Sequence, residues 1–307
     1  MALSAKTKRF LDRNCPVSLS GKTVLITGAS SGIGLKTAET MLYLGALVIL
    51  ACRNPEKAAY ARTRLQADYP GAVLRIMQLD LADFRSIEEF AAHLPDVDVF
   101  INNAGMYHRP GQKTADGLQL ITGVNYFGTW YLTEKVLPLL KQSPHPVVLI
   151  NTVSIAQKTA RVNYSRFFED RGSYSRSKLC LARYSCSLAE SCRNTNIRVY
   201  MSHPGIAVTA IASHLIGKLM VLAPVAPFNS VEKSSLSAAW ILSHNLPDGS
   251  LVGPRGLLNI WGYPSLNRPC KKAKRGIVPL LDFTRKTVEE KISSRKTGRE
   301  QQLSYHG

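Results

Sequence analysis

Apolar residues along this chain fall into short runs separated by longer stretches in which polar and apolar positions mix. The alternation is sustained from Lys22 to His203. Thr23-Val24-Leu25-Ile26, Leu47-Val48-Ile49-Leu50-Ala51, Val97 to Ile101 and Val147 to Asn151 are the runs, each of strand length. Between the first two, Leu35 to Leu44 has the pattern of a helix. Strand-like and helix-like segments in succession predict an α/β fold whose doubly wound parallel sheet is covered on both faces. A chain of 307 residues has room for a single domain of this kind, with a sizeable core and short extensions. No internal repeat or low-complexity tract interrupts the pattern.

Candidate chemistry sharpens the fold class. Thr27-Gly28-Ala29-Ser30-Ser31-Gly32-Ile33-Gly34 joins the first run to the first helix. Strand, tight glycine turn and helix start in that order form a phosphate cradle: the helix N-terminus offers free N–H groups, and glycines let a pyrophosphate approach the backbone. The sheet is therefore expected to be of the Rossmann type, with a dinucleotide in the crevice at its switch point. The end of the second strand should then carry an acid for a ribose 2′-OH or an arginine for a 2′-phosphate. Here Cys52-Arg53-Asn54 follows the strand, with no carboxylate. A planar guanidinium suits a phosphate, so Arg53 favours NADP(H) over NAD(H); an ordinary solvated arginine is the plainer alternative.

A tyrosine and a lysine four apart share one helix face, and a neighbouring ammonium favours phenolate in a group that otherwise ionises near ~10. Two segments have that spacing, Tyr174 to Lys178 and Tyr131 to Lys135. In a chain with 12 tyrosines, about one such match is expected from average composition. The spacing alone does not choose between them.

Four further landmarks bear on the choice. Asn102-Asn103-Ala104-Gly105 follows the strand ending at Ile101, and Leu79-Asp80-Leu81 closes the third strand. Val124-Asn125-Tyr126-Phe127-Gly128 lies before the fifth strand, and His203-Pro204-Gly205 is followed by Thr209. In this order the motifs resemble the short-chain dehydrogenase/reductase family over roughly residues 20 to 262. The "ACRN" at 51–54, "HPG" at 203–205, Tyr174-Ser175-Arg176-Ser177-Lys178 and the stretch around Asn163 to Asp170 look most like its retinol-dehydrogenase-like branch.

The resemblance implies a catalytic set of Asn125, Ser154, Tyr174 and Lys178. Tyr131 is excluded because the family's tyrosine follows the fifth strand; Val153 replaces the first serine of the family's usual pair. Tyr174 would carry the proton, Lys178 would lower the phenol pKa and hold ribose hydroxyls, Ser154 would hydrogen-bond the substrate oxygen, and Asn125 would anchor a water. The cofactor would be held by Gly28, Ser30, Ser31, Gly32, Ile33 and Gly34 at the phosphates and by Arg53 at the ribose. Asp80, Leu81, Asn103, Ala104 and Gly105 would line the adenine side and floor, with Tyr174, Lys178, Pro204, Gly205 and Thr209 at the nicotinamide. Met106, Tyr107 and His108 are candidates for a pocket wall. A substrate loop at about 206–230, almost wholly apolar apart from His214 and Lys218 between Ala210 and Pro224, suggests a lipophilic alcohol or carbonyl, retinoid-, steroid- or xenobiotic-like.

On this reading residues 1–20 are an N-terminal extension, 21–262 the dinucleotide-binding catalytic domain and 263–307 a basic C-terminal extension. The formal charge is +18, and from Arg268 to Gly307 there are 11 Lys and Arg against 4 Asp and Glu. That segment is expected to be mobile or weakly ordered: a solvated tail, or a contact to an anionic membrane surface. No nucleic-acid motif accompanies the charge. Cys15, Cys52, Cys180, Cys186, Cys192 and Cys270 form no C-x-x-C pair and have no histidine at metal-ligand spacing, so no metal is expected. With neither a signal peptide nor a membrane span in view, an intracellular, cytoplasmic protein is expected, with peripheral membrane association as an option. A homo-oligomer is left open. The competing class is a catalytically silent NADP-binding sensor or scaffold, which would tolerate loss of the tyrosine, lysine or serine.

Overall fold

A computed structural model describes residues 2–107, 109–206 and 228–304, with side chains up to residue 295. Its framework is an eight-stranded sheet in the order β3-β2-β1-β4-β5-β6-β7-β8. The strands are β1 (Thr23–Thr27), β2 (Leu47–Cys52), β3 (Leu74–Gln78), β4 (Val99–Asn102), β5 (Val147–Thr152), β6 (Ile197–Ser202), β7 (Leu251–Pro254) and β8 (Pro264–Asn267). Neighbours are parallel from β3 to β7, and only β8 runs antiparallel, on β7. The order reverses between β1 and β4, and such a reversal opens a crevice at the carboxyl ends of the strands.

The apolar runs are continuous because each strand is buried on both faces. Leu25 and Ile49 point into one core with Phe100 and Leu149, while Val24, Ile26, Val48 and Leu50 point into the other. Into the second core pack α1 (Ala5–Asn14), α2 (Gly32–Tyr43), α3 (Pro55–Asp68) and α8 (Val231–Ser243). The first is covered by α4 (Phe84–Ala92), α6 (Thr129–Gln142), α7 (Ser173–Ser191) and the C-terminal α9 (Ile277–Ser304). Local chemistry sets the starts: the Asn54 side chain caps α3 at Lys57 N, 2.7 Å, with Pro55 next, and Ser230 caps α8 at Lys233 N, 3.2 Å.

The chain around Asn125 is helical but not uniform. After the short α5 (Leu120–Thr122), Gly123–Gly128 is a π-helical segment that leads into α6. Such segments interrupt the regular ladder and occur mostly at functional sites.

Both chain ends differ from the extensions expected. Helix α1 sends Leu11 into the core, Phe10 stacks on Tyr263 at 4.3 Å, and Thr7 donates to Glu232 at 2.7 Å. At the other end β8 extends the sheet, and α9 buries Leu280, Thr284 and Val288 one turn apart. The basic segment is therefore in large part a packed helix. Asp282, Arg285, Lys286, Glu289 and Glu290 are exposed beside the buried positions, a distinction that a charge count does not register.

Candidate active site

The site lies at the carboxyl ends of the strands, and helix α7 completes its wall. A cleft of about 930 Å3 opens above β1, β2, β4 and β5, and its walls come from the turns that follow them. After β1, Gly28 has φ +68°, and a Cβ there would come 2.9 Å from Ala104 Cα. A Cβ on Gly34 would strike Gly28 O and lie 2.5 Å from Asn103 Nδ2. The turn is thus drawn tight against the Asn103–Gly105 segment. Thr27, which the sequence motifs left without a role, fastens the two: its Oγ1 accepts from Asn103 N at 3.0 Å and from Ala104 N at 2.9 Å.

This cradle fits a pyrophosphate. Ser31 stands at the N-cap of α2 without making a capping bond, and the first turn carries no acid, so the helix terminus offers its N–H groups to an anion. Ser30, Ser31, Gly32 and Ile33 line the same wall. Arg53 and Lys57 line the cleft where β2 ends, both exposed and neither in an ion pair among the described residues. Asp80 and Leu81 form the side beyond, where one carboxylate oxygen of Asp80 accepts from Ala82 N at 2.9 Å. Pro204 and Gly205 close the far end; Thr209 and the apolar stretch from Ala210 to Pro224 lie outside the described residues, as does His108.

Ser154, Tyr174 and Lys178 meet on the β5 side of this cleft. Ser154 follows β5 and turns the chain by accepting from Ala156 N at 3.3 Å. Tyr174 and Lys178 lie one turn apart near the start of α7. The phenol stands beside the Ser154 side chain on this wall, and Tyr107 packs edge-on to its ring at 4.9 Å. Burial raises the Tyr174 pKa; the neighbouring Ser154 hydroxyl opposes the rise and Tyr107 adds to it. Lys178 is buried, donates to Thr152 O at 2.8 Å, and has its pKa pushed down to about 8 by desolvation. The expected lowering of the phenol pKa is therefore not the balance struck in this cleft. Enclosure moves both groups toward their neutral forms.

Asn125 sits behind the cleft. It is fully buried: its Oδ1 accepts from Met106 N at 2.8 Å, while Nδ2 donates to Met106 O at 2.9 Å and to Ser177 Oγ at 3.2 Å. Both amide hydrogens are consumed, so on the side chain only the second lone pair of Oδ1 remains for the water that Asn125 was expected to anchor. A Cβ built on Gly105 would be 3.3 Å from Asn125 Oδ1 and 3.4 Å from Lys178 Nζ, which places these two side chains against the same glycine.

Tyr131, the other tyrosine with this spacing, lies elsewhere. Its hydroxyl donates to Glu88 Oε1 at 2.5 Å, its ring packs on Phe84 at 4.7 Å, and burial and the carboxylate raise its pKa.

A family model described as short chain dehydrogenase matches residues 22–218. Over 224 residues the chain is 39% identical to retinol dehydrogenase 14 of Mus musculus, and the match covers 65% of this chain and 65% of that protein's length. Among solved structures, an uncharacterized protein from Mycobacterium Paratuberculosis superposes with TM-score 0.73 at 27% identity, over 89% of this chain and 95% of that one. The Pseudomonas aeruginosa RhlG/NADP active-site complex has the same fold, with TM-score 0.63 at 23% identity over 76% and 94%.

Proposed function

The chain belongs to the short-chain dehydrogenase/reductase family, in its retinol-dehydrogenase-like branch, and from that membership we propose that it is an NADP(H)-dependent oxidoreductase interconverting a lipophilic alcohol and its carbonyl. The observation that carries this reading is the meeting of Ser154, Tyr174 and Lys178 on one wall of a cleft whose other wall is the glycine cradle.

A bound nicotinamide would supply the hydride donor or acceptor. The chain's own residues do the rest. The α2 N-terminus and Gly28 to Gly34 hold the pyrophosphate, Arg53 pairs with the 2′-phosphate, and Asp80 and Leu81 bound the adenine side. Ser154 Oγ hydrogen-bonds the substrate oxygen, where charge develops. Tyr174 gives that oxygen a proton on reduction and removes one on oxidation. The enclosed phenol is protonated at neutral pH, the form that carbonyl reduction consumes. Lys178 supplies positive charge beside the phenol and a donor for ribose hydroxyls, and Asn125 holds the loop and helix that present these groups.

The apolar composition of residues 210–224 supports a retinoid-, steroid- or xenobiotic-like substrate over a free sugar. Among the described residues no helix is long and apolar enough to cross a membrane; the positive charge supports peripheral contact with an anionic bilayer. A panel of lipophilic aldehydes, ketones and alcohols, followed by NADPH absorbance, tests the proposal. We expect turnover of at least one apolar carbonyl, with NADPH preferred to NADH; nicotinamide binding without turnover of any compound would favour a silent sensor.

A further inference from the structure

Helix α9 lies beyond the segment matched by the family model, yet it reaches the residues that flank Asn125. Thr284 Oγ1 donates to Leu280 O at 2.7 Å. With that hydrogen committed, its 2.7 Å contact with Tyr126 leaves the tyrosine hydroxyl as donor. Tyr126 is fully buried, and this is its hydroxyl's hydrogen bond. One residue along, Phe283 packs against Phe127, with ring centroids 6.4 Å apart. The same ring lies 5.0 Å from Tyr164 and 4.9 Å from Phe167, in the stretch that connects Ser154 to Tyr174. Tyr126 and Phe127 directly follow Asn125 in the π-helical segment, a geometry that departs from the regular i→i+4 ladder. Asn125 in turn holds Met106 on the cleft wall and Ser177 beside Lys178, and Ser177 Oγ donates to Tyr174 O at 2.7 Å.

We propose that the C-terminal helix is part of the active-site scaffold, with Thr284 and Phe283 acting as positioning residues that fix the π-helical segment and hence the Asn125 amide between Met106 and Ser177. The inference rests on the role given to Asn125 above. The contact is local. Further along, α9 is held by a separate ion pair, Arg295 to Glu88 at 3.0 Å, which touches neither Tyr126 nor Phe127. General loosening of the helix can therefore be told apart from loss of the clamp.

The experiment compares Thr284→Val, Thr284→Ser, Phe283→Leu and Arg295→Gln in the full chain. The readouts are carbonyl reduction with NADPH, thermal unfolding, and amide hydrogen exchange over residues 123–128. Thr284→Val and Phe283→Leu should lower kcat about tenfold, as expected when reacting groups are displaced by a fraction of an ångström, with KM for NADPH unchanged and faster exchange at 123–128. Thr284→Ser keeps the acceptor and should behave as wild type; Arg295→Gln should lose thermal stability but keep kcat. Asn125→Ala should be impaired alone and no worse when combined with Thr284→Val, because both act through one element. If Asn125→Ala is impaired while Thr284→Val and Phe283→Leu match Arg295→Gln in kcat and in exchange, the clamp is refuted. If Asn125→Ala turns over normally, the role of Asn125 fails instead. Exchange at 123–128 then decides the clamp: faster in Thr284→Val than in Arg295→Gln supports it, and equal rates overturn it.

Discussion

Two tyrosines in this chain have a lysine one helical turn away, and their surroundings give them opposite uses. Tyr131 donates to the Glu88 carboxylate, which also accepts from Arg295. Burial would raise the Glu88 pKa, but these bonds lower it, so the acceptor stays charged. Tyr174 faces the cleft beside Ser154. Tyr174→Phe should abolish turnover while nicotinamide binding, measured by calorimetry, survives. Tyr131→Phe should preserve turnover and cost about 1.5–3 kcal/mol of stability, the worth of a hydrogen bond to a charged group. Equal activity losses in the two variants would overturn the assignment. Lys178 adds a pH dependence. Its folded-state pKa of about 8 lies below the ordinary lysine value of 10.5, so the unfolded chain holds its proton more tightly. That difference costs the cofactor-free protein stability below about pH 8, and the cost is relieved as pH rises toward 10.5. Lys178→Met should therefore unfold at a higher denaturant concentration than wild type at pH 7, with the gap narrowing by pH 10, and should be inactive. A gap that is the same at both pH values would mean that the ammonium is not desolvated.

At the scale of elements, the strands and the glycine cradle are written in contiguous strings, which is why they are legible. Val24 to Ile26 is apolar because two helical layers cover the sheet, and Gly28 and Gly34 are glycines because Ala104 and the Gly28 carbonyl leave no room for a Cβ. The π-helical segment is not legible in this way, since Gly123 to Gly128 reads as ordinary helix until its packing partners are known. Nor is Thr27, whose bonds to Asn103 and Ala104 join positions 76 and 77 residues away. The junction of β2 with α3 is an intermediate case. Its sequence shows an arginine and no acid, and the structure adds that Arg53 lies at the cleft with no ion-pair partner among the described residues. Arg53→Ala should weaken NADPH binding by about 1.5–3 kcal/mol and leave NADH nearly unchanged; an unaltered affinity ratio in calorimetry would remove the guanidinium from cofactor choice.

For the molecule as a whole, the feature that sequence obscured most is the way its ends close the fold. From Arg268 onward charged residues outnumber the apolar ones that matter, so the segment reads as a solvated tail. The face that docks α9 consists of Leu280, Phe283, Thr284, Thr287 and Val288, and two of the five are polar. Its partners Tyr126, Phe127 and Phe167 lie more than a hundred residues earlier, beyond the reach of any periodicity argument. Truncation after Cys270 consequently has a different expected outcome from the removal of a tail. It strips the buried Ala273, Leu280 and Val288, the last two at about 1.5–3 kcal/mol each, and leaves the Tyr126 hydroxyl buried without its acceptor, at about 1–3 kcal/mol. Domains hold only about 5–15 kcal/mol in total. The truncated chain should lose its cooperative unfolding transition in urea, and turnover with it, as read by tryptophan fluorescence and NADPH absorbance. A cooperative transition at the full-length midpoint would show that α9 lies against the domain without stabilising it.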